Sequence, residues 1–324
     1  MQSGTLPKVE LHCHLEGTIT PDFALKLAEK RGVDLKALGN RDGTYSWHDF
    51  TSFLKAYDKV SDLLNRPQDY YDLTLDHLTR AAGQGVIYTE FFLSADHGRR
   101  INIDYADMVE AIDEACRHAE EASGIICRLI STCVRHLGPD AALDVARETC
   151  ARSHPRVTGF GMGGDERCHH PSEFTPAFAM AHEAGLGCTV HAGEFGGPES
   201  VSSALDCLPV TRIGHGVRAA ESPDLVKRLV DEQIVLEVCP GSNIALGLYE
   251  SLAAHPLPAL LAAGVAITVS SDDPPFFHTD MQAEYETLET VFGLSHSQIN
   301  DLNCTGLQAA FVDEDTRKSL INRL

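Results

Sequence analysis

The sequence predicts an α/β fold, a (β/α)₈ barrel of the TIM type, with a helical insertion after strand 1 and helices at the C-terminus. Three observations carry that prediction. Eight apolar, β-branched-rich runs of strand length recur along the chain, separated by helix-like segments. Strands that alternate with helices pair in parallel through right-handed crossovers, and eight of them suffice to close a barrel. Acid- and base-bearing residues stand just beyond the C-terminal ends of several runs, and in such a barrel all those ends open onto one rim. The length of 324 residues and the 43% hydrophobic content also fit one barrel with a large core.

The first run, 9–14, alternates polar and apolar residues and extends through Leu15-Glu16. In a regular strand it turns His12 and His14 to one face, leaving Val9, Leu11, Cys13 and Leu15 to pack on the other. The main insertion comes next, from about 21 to 85. Within it, segment 46–64 carries Phe50, Phe53, Leu54 and Tyr57 at helical spacing. An amphipathic helix packed on the barrel accounts for that pattern, and so does a lid that covers a substrate and excludes water.

The remaining runs fall at 86–93, 125–134, 157–162, 187–191, 211–214, 234–239 and 266–271. Helices are expected at 105–122, 139–152 and 172–184 between them. The tail reads as three more helices, 281–291, 301–310 and 313–324, that cap the barrel or pack at an interface. No low-complexity linker or repeat interrupts this order, so residues 1–324 read as one domain.

The rim positions carry the chemistry. His12-Cys13-His14 ends the first run, and His191-Ala192-Gly193-Glu194 the fifth. His215-Gly216 comes after the sixth run, and Asp272-Asp273-Pro274 after the eighth. A buried His or Asp with a hydrogen-bond partner explains any one of these alone, but four together point to a metal site. His12, His14, His191 and Asp272 supply three imidazoles and one carboxylate. Such a set suits zinc, although iron, manganese or cobalt fits the same ligands. A water on that ion has its pKa lowered from about 15.7 to about 7, giving hydroxide at neutral pH. Glu194 is then placed as general acid, His215 to orient the hydroxide, and Asp273 to receive a hydrogen bond from the substrate. His169, His170 and His278 read as surface loop histidines.

The stretches Glu10-Leu11-His12-Cys13-His14-Leu15-Glu16-Gly17-Thr18, His191-Ala192-Gly193-Glu194, Gly214-His215-Gly216, Cys239-Pro240-Gly241-Ser242-Asn243 and Ser271-Asp272-Asp273-Pro274 resemble the adenosine deaminase family over nearly the whole chain. The resemblance implies a zinc-dependent barrel that hydrolyses the exocyclic amine of a 6-aminopurine. It implies that Glu194 protonates purine N1, that His215 orients the nucleophile at C6, and that Asp273 holds N7. It also sets His14 against the substrate. Gly161-Met162-Gly163-Gly164-Asp165-Glu166 is similar to the family's glycine-rich segment, which implies a contact from the Gly164 N–H to purine N3. At Glu16, nucleoside-specific members usually carry Asp against the ribose, whereas adenine deaminases commonly carry Glu. The glycine-rich match favours nucleosides. The expectation is therefore hydrolysis of adenosine and 2′-deoxyadenosine in purine salvage, with free or N6-substituted adenine as the alternative.

Composition excludes other classes. Lys and Arg total 26 against 47 Asp and Glu, a formal net charge of −21. Such a chain repels phosphate backbones and anionic membranes on average, so a neutral base or nucleoside is the expected partner, not nucleic acid. The ten cysteines form no C-x-x-C pair; those at 127, 133 and 188 lie in apolar runs and read as small buried hydrophobes in a reducing cytoplasm. No signal-peptide pattern opens the chain, and no apolar stretch reaches the roughly 18 residues of a membrane span. A hydrolase of another ring or an ester has no need of Asp273 and Gly164. A non-catalytic binding protein has no need of a complete ligand set with Glu194, so catalysis is the stronger reading.

Overall fold

The computed structural model describes residues 6–34 and 44–324. Eight parallel strands run in the order β1 to β8: β1 Lys8–His14, β2 Val86–Ser94, β3 Ile126–Val134, β4 Val157–Gly163, β5 Gly187–Ala192, β6 Arg212–His215, β7 Val235–Val238 and β8 Ala266–Val269. Each matches a run expected from the sequence. The barrel closes between β8 and β1 through the segment that bears Asp272. Asp272 N–H donates to the His12 carbonyl and His14 N–H to the Asp272 carbonyl, each at 3.0 Å. The Ser270 hydroxyl oxygen accepts from the backbone N–H groups of Leu11 and His12 at 3.1 Å. The segment that closes the fold thus also brings Asp272 beside the rim histidines.

β1 departs from the strict alternation expected of it. Its pairing with β2 shifts register between Glu10 and Cys13. Val9 and Leu11 consequently join a small cluster with Tyr88, Leu307, Ala310 and Leu320, while Cys13 and Leu15 belong to the main core. A strand irregularity moves one residue out of phase and re-aims the side chains beyond it. His12 and His14 still point to the same centre.

The insertion folds as three helices, α1 Pro21–Arg31, α2 Phe50–Ser61 and α3 Pro67–Gly83. The ends of α1 and the start of α2 are written in the sequence. The Thr20 side chain accepts from Phe23 N–H and Pro21 opens α1, while Gly32 ends it in the left-handed region at φ 66°. Asp49 and Ser52 form a reciprocal capping box on α2. Phe53 and Tyr57 of α2 bury against Phe276, with Phe53 also on Phe277, so the helix is packed onto the rim; its aromatic face also lines the cavity there.

The tail forms helices Met281–Thr290, His296–Ala309 and Glu314–Ile321. The second begins earlier than expected, because Ser295 and Gln298 make a capping box. The chain beyond it seals the barrel floor. A Cβ on inward-facing Gly159 would come within 2.8 Å of the Phe311 ring, so glycine there lets that ring enter.

Glu284, on helix Met281–Thr290, is fully enclosed, and burial pushes its carboxyl up to about 8 although Thr279 Oγ1 and the Gly241 N–H donate to it. A carboxyl whose folded pKa is raised favours folding at low pH. That contribution is complete below its unfolded value and is lost as pH rises through the folded one. Glu284→Gln removes this titration. The melting temperature of the variant relative to the parent is expected to rise between about pH 5 and pH 8, and a constant difference across that window contradicts the assignment.

Candidate active site

The side chains singled out from the sequence converge at the C-terminal rim. His12 and His14 come from the end of β1, His191 from β5 and His215 from β6, and Asp272 lies just past β8. His215 and Asp272 hold left-handed backbone conformations, with φ of 59° and 66°. Non-glycine residues adopt these at a cost of roughly 1 kcal/mol or more, and such strain concentrates where a side chain must be aimed.

The ligand atoms are arranged for a cation. His14 Nε2 and His191 Nε2 lie 3.1 Å apart, and Asp272 Oδ1 is 3.6 Å from His12 Nε2 and 3.4 Å from His14 Nε2. The four ligand atoms all fall within 4.8 Å of one another. The remaining ring nitrogens explain the orientation. His12 Nδ1–H donates to Glu237 Oε2 at 2.7 Å, and His191 Nδ1–H to the Met162 carbonyl at 2.8 Å. Both bonds leave the Nε2 lone pairs facing inward, as metal-ligating histidines require. His12 Nε2 is buried and makes no hydrogen bond within the protein. Burial above all, and then neighbouring imidazoles, lowers the pKa of His12, His14 and His215; burial leads for His191 as well. Neutral imidazoles and a carboxylate held by Ser242 Oγ at 2.7 Å fit a divalent metal.

The acid candidates surround this centre. Glu194 sits on a loop tied down by one buried carboxylate: Glu166 accepts from the N–H groups of Gly193, Glu194, Phe195 and Gly196 at 2.5–3.1 Å. Burial, then the charges of Asp272 and Glu166, raises the Glu194 pKa well above the carboxylate range, which favours the protonated form that a general acid needs. Glu194 Oε1 lies 3.7 Å from His215 Nε2. Asp273 is likewise raised, by burial and then by Asp272, Glu194 and Glu16, and its buried Oδ1 has no protein partner. Gly17 makes room for it, because a Cβ there would overlap the Asp273 carboxyl.

A cavity of about 690 Å³, counted to its open mouth, extends from this cluster. Phe50, Phe53 and Tyr57 of α2 line it, together with His14, Gly164 and Glu16. Gly164 has φ 93°, a conformation that favours glycine. Glu16 is 1% exposed, and its Oε1 accepts from Ser94 N–H at 3.2 Å. His97 stands between it and Asp58, with Nδ1 3.9 Å from Glu16 and Nε2 3.3 Å from Asp58. His169, His170 and His278 are exposed, away from the centre.

The residues that hold this set in place are not evident from the sequence. Glu237 and Arg212 are lone charges inside apolar strand runs, a pattern that signals buried pairing. The Arg212 guanidinium donates to Glu90 at 2.6 Å, and its Nε lies 2.6 Å from Glu237 Oε1, off the line of a hydrogen bond. Glu166 stands in the same Gly-Asp-Glu triplet as Gly164, yet nothing in the triplet alone marks it as a clamp for the Glu194 loop. Phe92 stacks on His14 at 4.9 Å and gives no signal beyond that of an apolar strand residue.

A parallel barrel with a candidate His₃Asp metal cluster and a buried carboxyl of raised pKa beside it is the arrangement of a metal-dependent hydrolase of the amidohydrolase type. The adenosine deaminase family model matches residues 7–324, and the chain belongs to that family. An adenine deaminase of Rhizobium leguminosarum bv. trifolii is 50% identical over 319 residues, covering 98% of this chain and 99% of the relative. The crystal structure of adenine deaminase from Arthrobacter aurescens superposes with a TM-score of 0.91 at 34% identity, covering 98% of this chain and 97% of that one. An amidohydrolase from Burkholderia ambifaria with bound Zn gives 0.88 at 30% identity, covering 97% and 88%. The chain is a deaminase. Among the described residues, no helix is long and apolar enough to cross a membrane.

Proposed function

We propose that this deaminase hydrolyses free adenine to hypoxanthine and ammonia, with zinc as its metal. The observation that carries the substrate choice is Glu16, a buried carboxylate fixed by Ser94 N–H in the cavity wall. Free adenine presents an N–H at N9, the position that bears ribose in a nucleoside. A carboxylate accepts that hydrogen; a ribose in its place meets the longer Glu side chain. Adenosine, put first on the strength of the Gly164 segment, gives way to the adenine alternative, which the relatives at about 50% identity support.

His12, His14, His191 and Asp272 would hold the ion, and the chemistry it would supply there is a lowered pKa for water, giving a nucleophile near neutral pH. Glu194 delivers its proton to N1 as C6 is attacked, making the ring a better electrophile. His215 orients the attacking oxygen. Asp273, whose carboxyl burial and the neighbouring acids push well above the usual carboxylate range, donates to N7 instead of receiving a hydrogen bond, and the Gly164 N–H is offered to N3. The aromatic face of α2 and the imidazole of His14 close around the base.

Glu16→Asp tests the specificity assignment. Shortening the acid withdraws it from N9 and opens space for ribose. The kcat/KM for adenine is expected to fall by roughly tenfold or more while that for adenosine rises, since a polar contact built for one substrate discriminates strongly. Unchanged kinetics on both substrates contradicts the role of Glu16.

A further inference from the structure

We infer that His255 and Asn243 are positioning residues that fix His215 as the tautomer with its proton on Nε2, so that His215 acts as a hydrogen-bond donor to the attacking oxygen. The inference rests on the proposed placement of His215 at the reaction centre, but it concerns two residues outside the ligand set and the acid candidates.

One donor in this chain of bonds cannot rotate. The backbone N–H of Leu257 donates to His255 Nδ1 at 3.2 Å, so that nitrogen is the acceptor of the ring. Burial keeps the imidazole neutral by lowering its pKa to about 4, and the single proton therefore sits on Nε2. His255 Nε2–H donates to Asn243 Oδ1 at 3.0 Å. That bond settles which end of the Asn243 amide is oxygen, a choice that must come from the surrounding network. Nδ2–H of Asn243 is then left to donate to His215 Nδ1, at 3.4 Å. With Nδ1 accepting, the neutral His215 ring carries its proton on Nε2, the atom that faces Glu194 at 3.7 Å and Asp272 at 3.9 Å.

The relay is built rigidly. His255 is 4% exposed and Asn243 fully buried, and the His255 ring packs edge-on to Tyr249 at 5.1 Å and lies against Phe292 at 6.0 Å. Asn243 sits on the short helix Pro240–Ala245, next to Ser242, which holds Asp272. One turn of chain thereby orients both Asp272 and His215. A wrong tautomer in an otherwise intact site is among the costliest single changes known in catalysis, up to about 10⁴-fold.

Histidine ¹⁵N NMR on the zinc-loaded full chain reads the tautomer directly, with the His215 signals assigned by their loss in His215→Asn. Nε2–H is expected in the parent, and a proton on Nδ1 there overturns the inference whatever the substrate is. Asn243→Asp exchanges the donor for a nearly isosteric acceptor, so it is expected to place a proton on His215 Nδ1. Turnover is expected to drop by about tenfold or more with KM changed less than about threefold. His255→Gln keeps a donor toward Asn243 and is expected to preserve the parental spectrum, whereas His255→Leu is expected to lose the pure Nε2–H form. A spectrum and kcat unchanged in Asn243→Asp, or in His255→Leu should the first variant fold poorly, overturn the relay. Failure of the adenine assignment leaves these spectra unaffected, so the two readings fall separately.

Discussion

Glu194→Gln is expected to lower turnover by about 10²-fold or more while metal content and fold are retained, the scale of general-acid contributions. The loop that carries this residue is held by Glu166 through four backbone N–H groups, so the substitution does not disturb its course. The amide of Gln offers a hydrogen bond to a ring nitrogen but no proton. On the proposed mechanism what is lost is the transfer to N1, which is made only as the reaction proceeds, so kcat is expected to suffer more than KM. Burial pushes the Glu194 carboxyl well above the carboxylate range, which suits a proton donor. Steady-state kinetics with parallel metal analysis checks the prediction: near-normal kcat at full metal content removes Glu194 from the mechanism.

The second large effect falls on stability, at the barrel interior. Arg212 is fully buried between Glu90 and Glu237, its guanidinium also donating to the Ala309 carbonyl at 3.1 Å and lying 3.6 Å from the centre of the Phe311 ring. Glu90 Oε1 in turn accepts from Tyr88 Oη and from the Phe311 N–H, and Glu237 Oε2 from His12 Nδ1–H, a candidate ligand. Arg212→Met keeps the volume and strips the counter-charge from two buried carboxylates. Removing one partner of a buried ion pair costs about 3–5 kcal/mol, because an uncompensated charge is left behind. Urea unfolding should show that loss, and a midpoint equal to the parent's contradicts it. Adding Glu90→Gln to Arg212→Met is expected to recover part of the loss, since one stranded charge is then neutral. The same network balances the charge of Glu237, the residue that orients His12, so core stability and metal-site geometry are coupled through Arg212.

The barrel is legible in the sequence because eight buried strands leave a strong apolar rhythm and because the ligands stand at their ends. His12, His14, His191, His215 and Asp272 can each be placed by position relative to a run, and the structure brings them together. The shift in β1 is hidden: a register irregularity leaves no trace in a sequence that still alternates cleanly. Start signals in the tail are present at Ser295 and Gln298 but are outweighed by the weaker apolar pattern of the first turn. Support residues are harder still. Glu237 and Glu90 acquire meaning only when strands far apart in the chain face one another across a barrel, and Asn243 and His255 only when the amide orientation is fixed by a backbone donor. On the proposed reading substrate choice hangs on one methylene at Glu16, too small a difference for residue pattern alone to decide.

The most direct test of substrate choice is ammonia release by zinc-loaded protein offered adenine, adenosine and 2′-deoxyadenosine at equal concentrations. With Glu16 accepting the N9 hydrogen and filling the ribose space, adenine is expected to be favoured by roughly 10²-fold or more in kcat/KM, as for sites that reject a substrate lacking a required hydrogen bond. Equal or faster release from the nucleosides contradicts it and returns the Gly164 segment to the leading role.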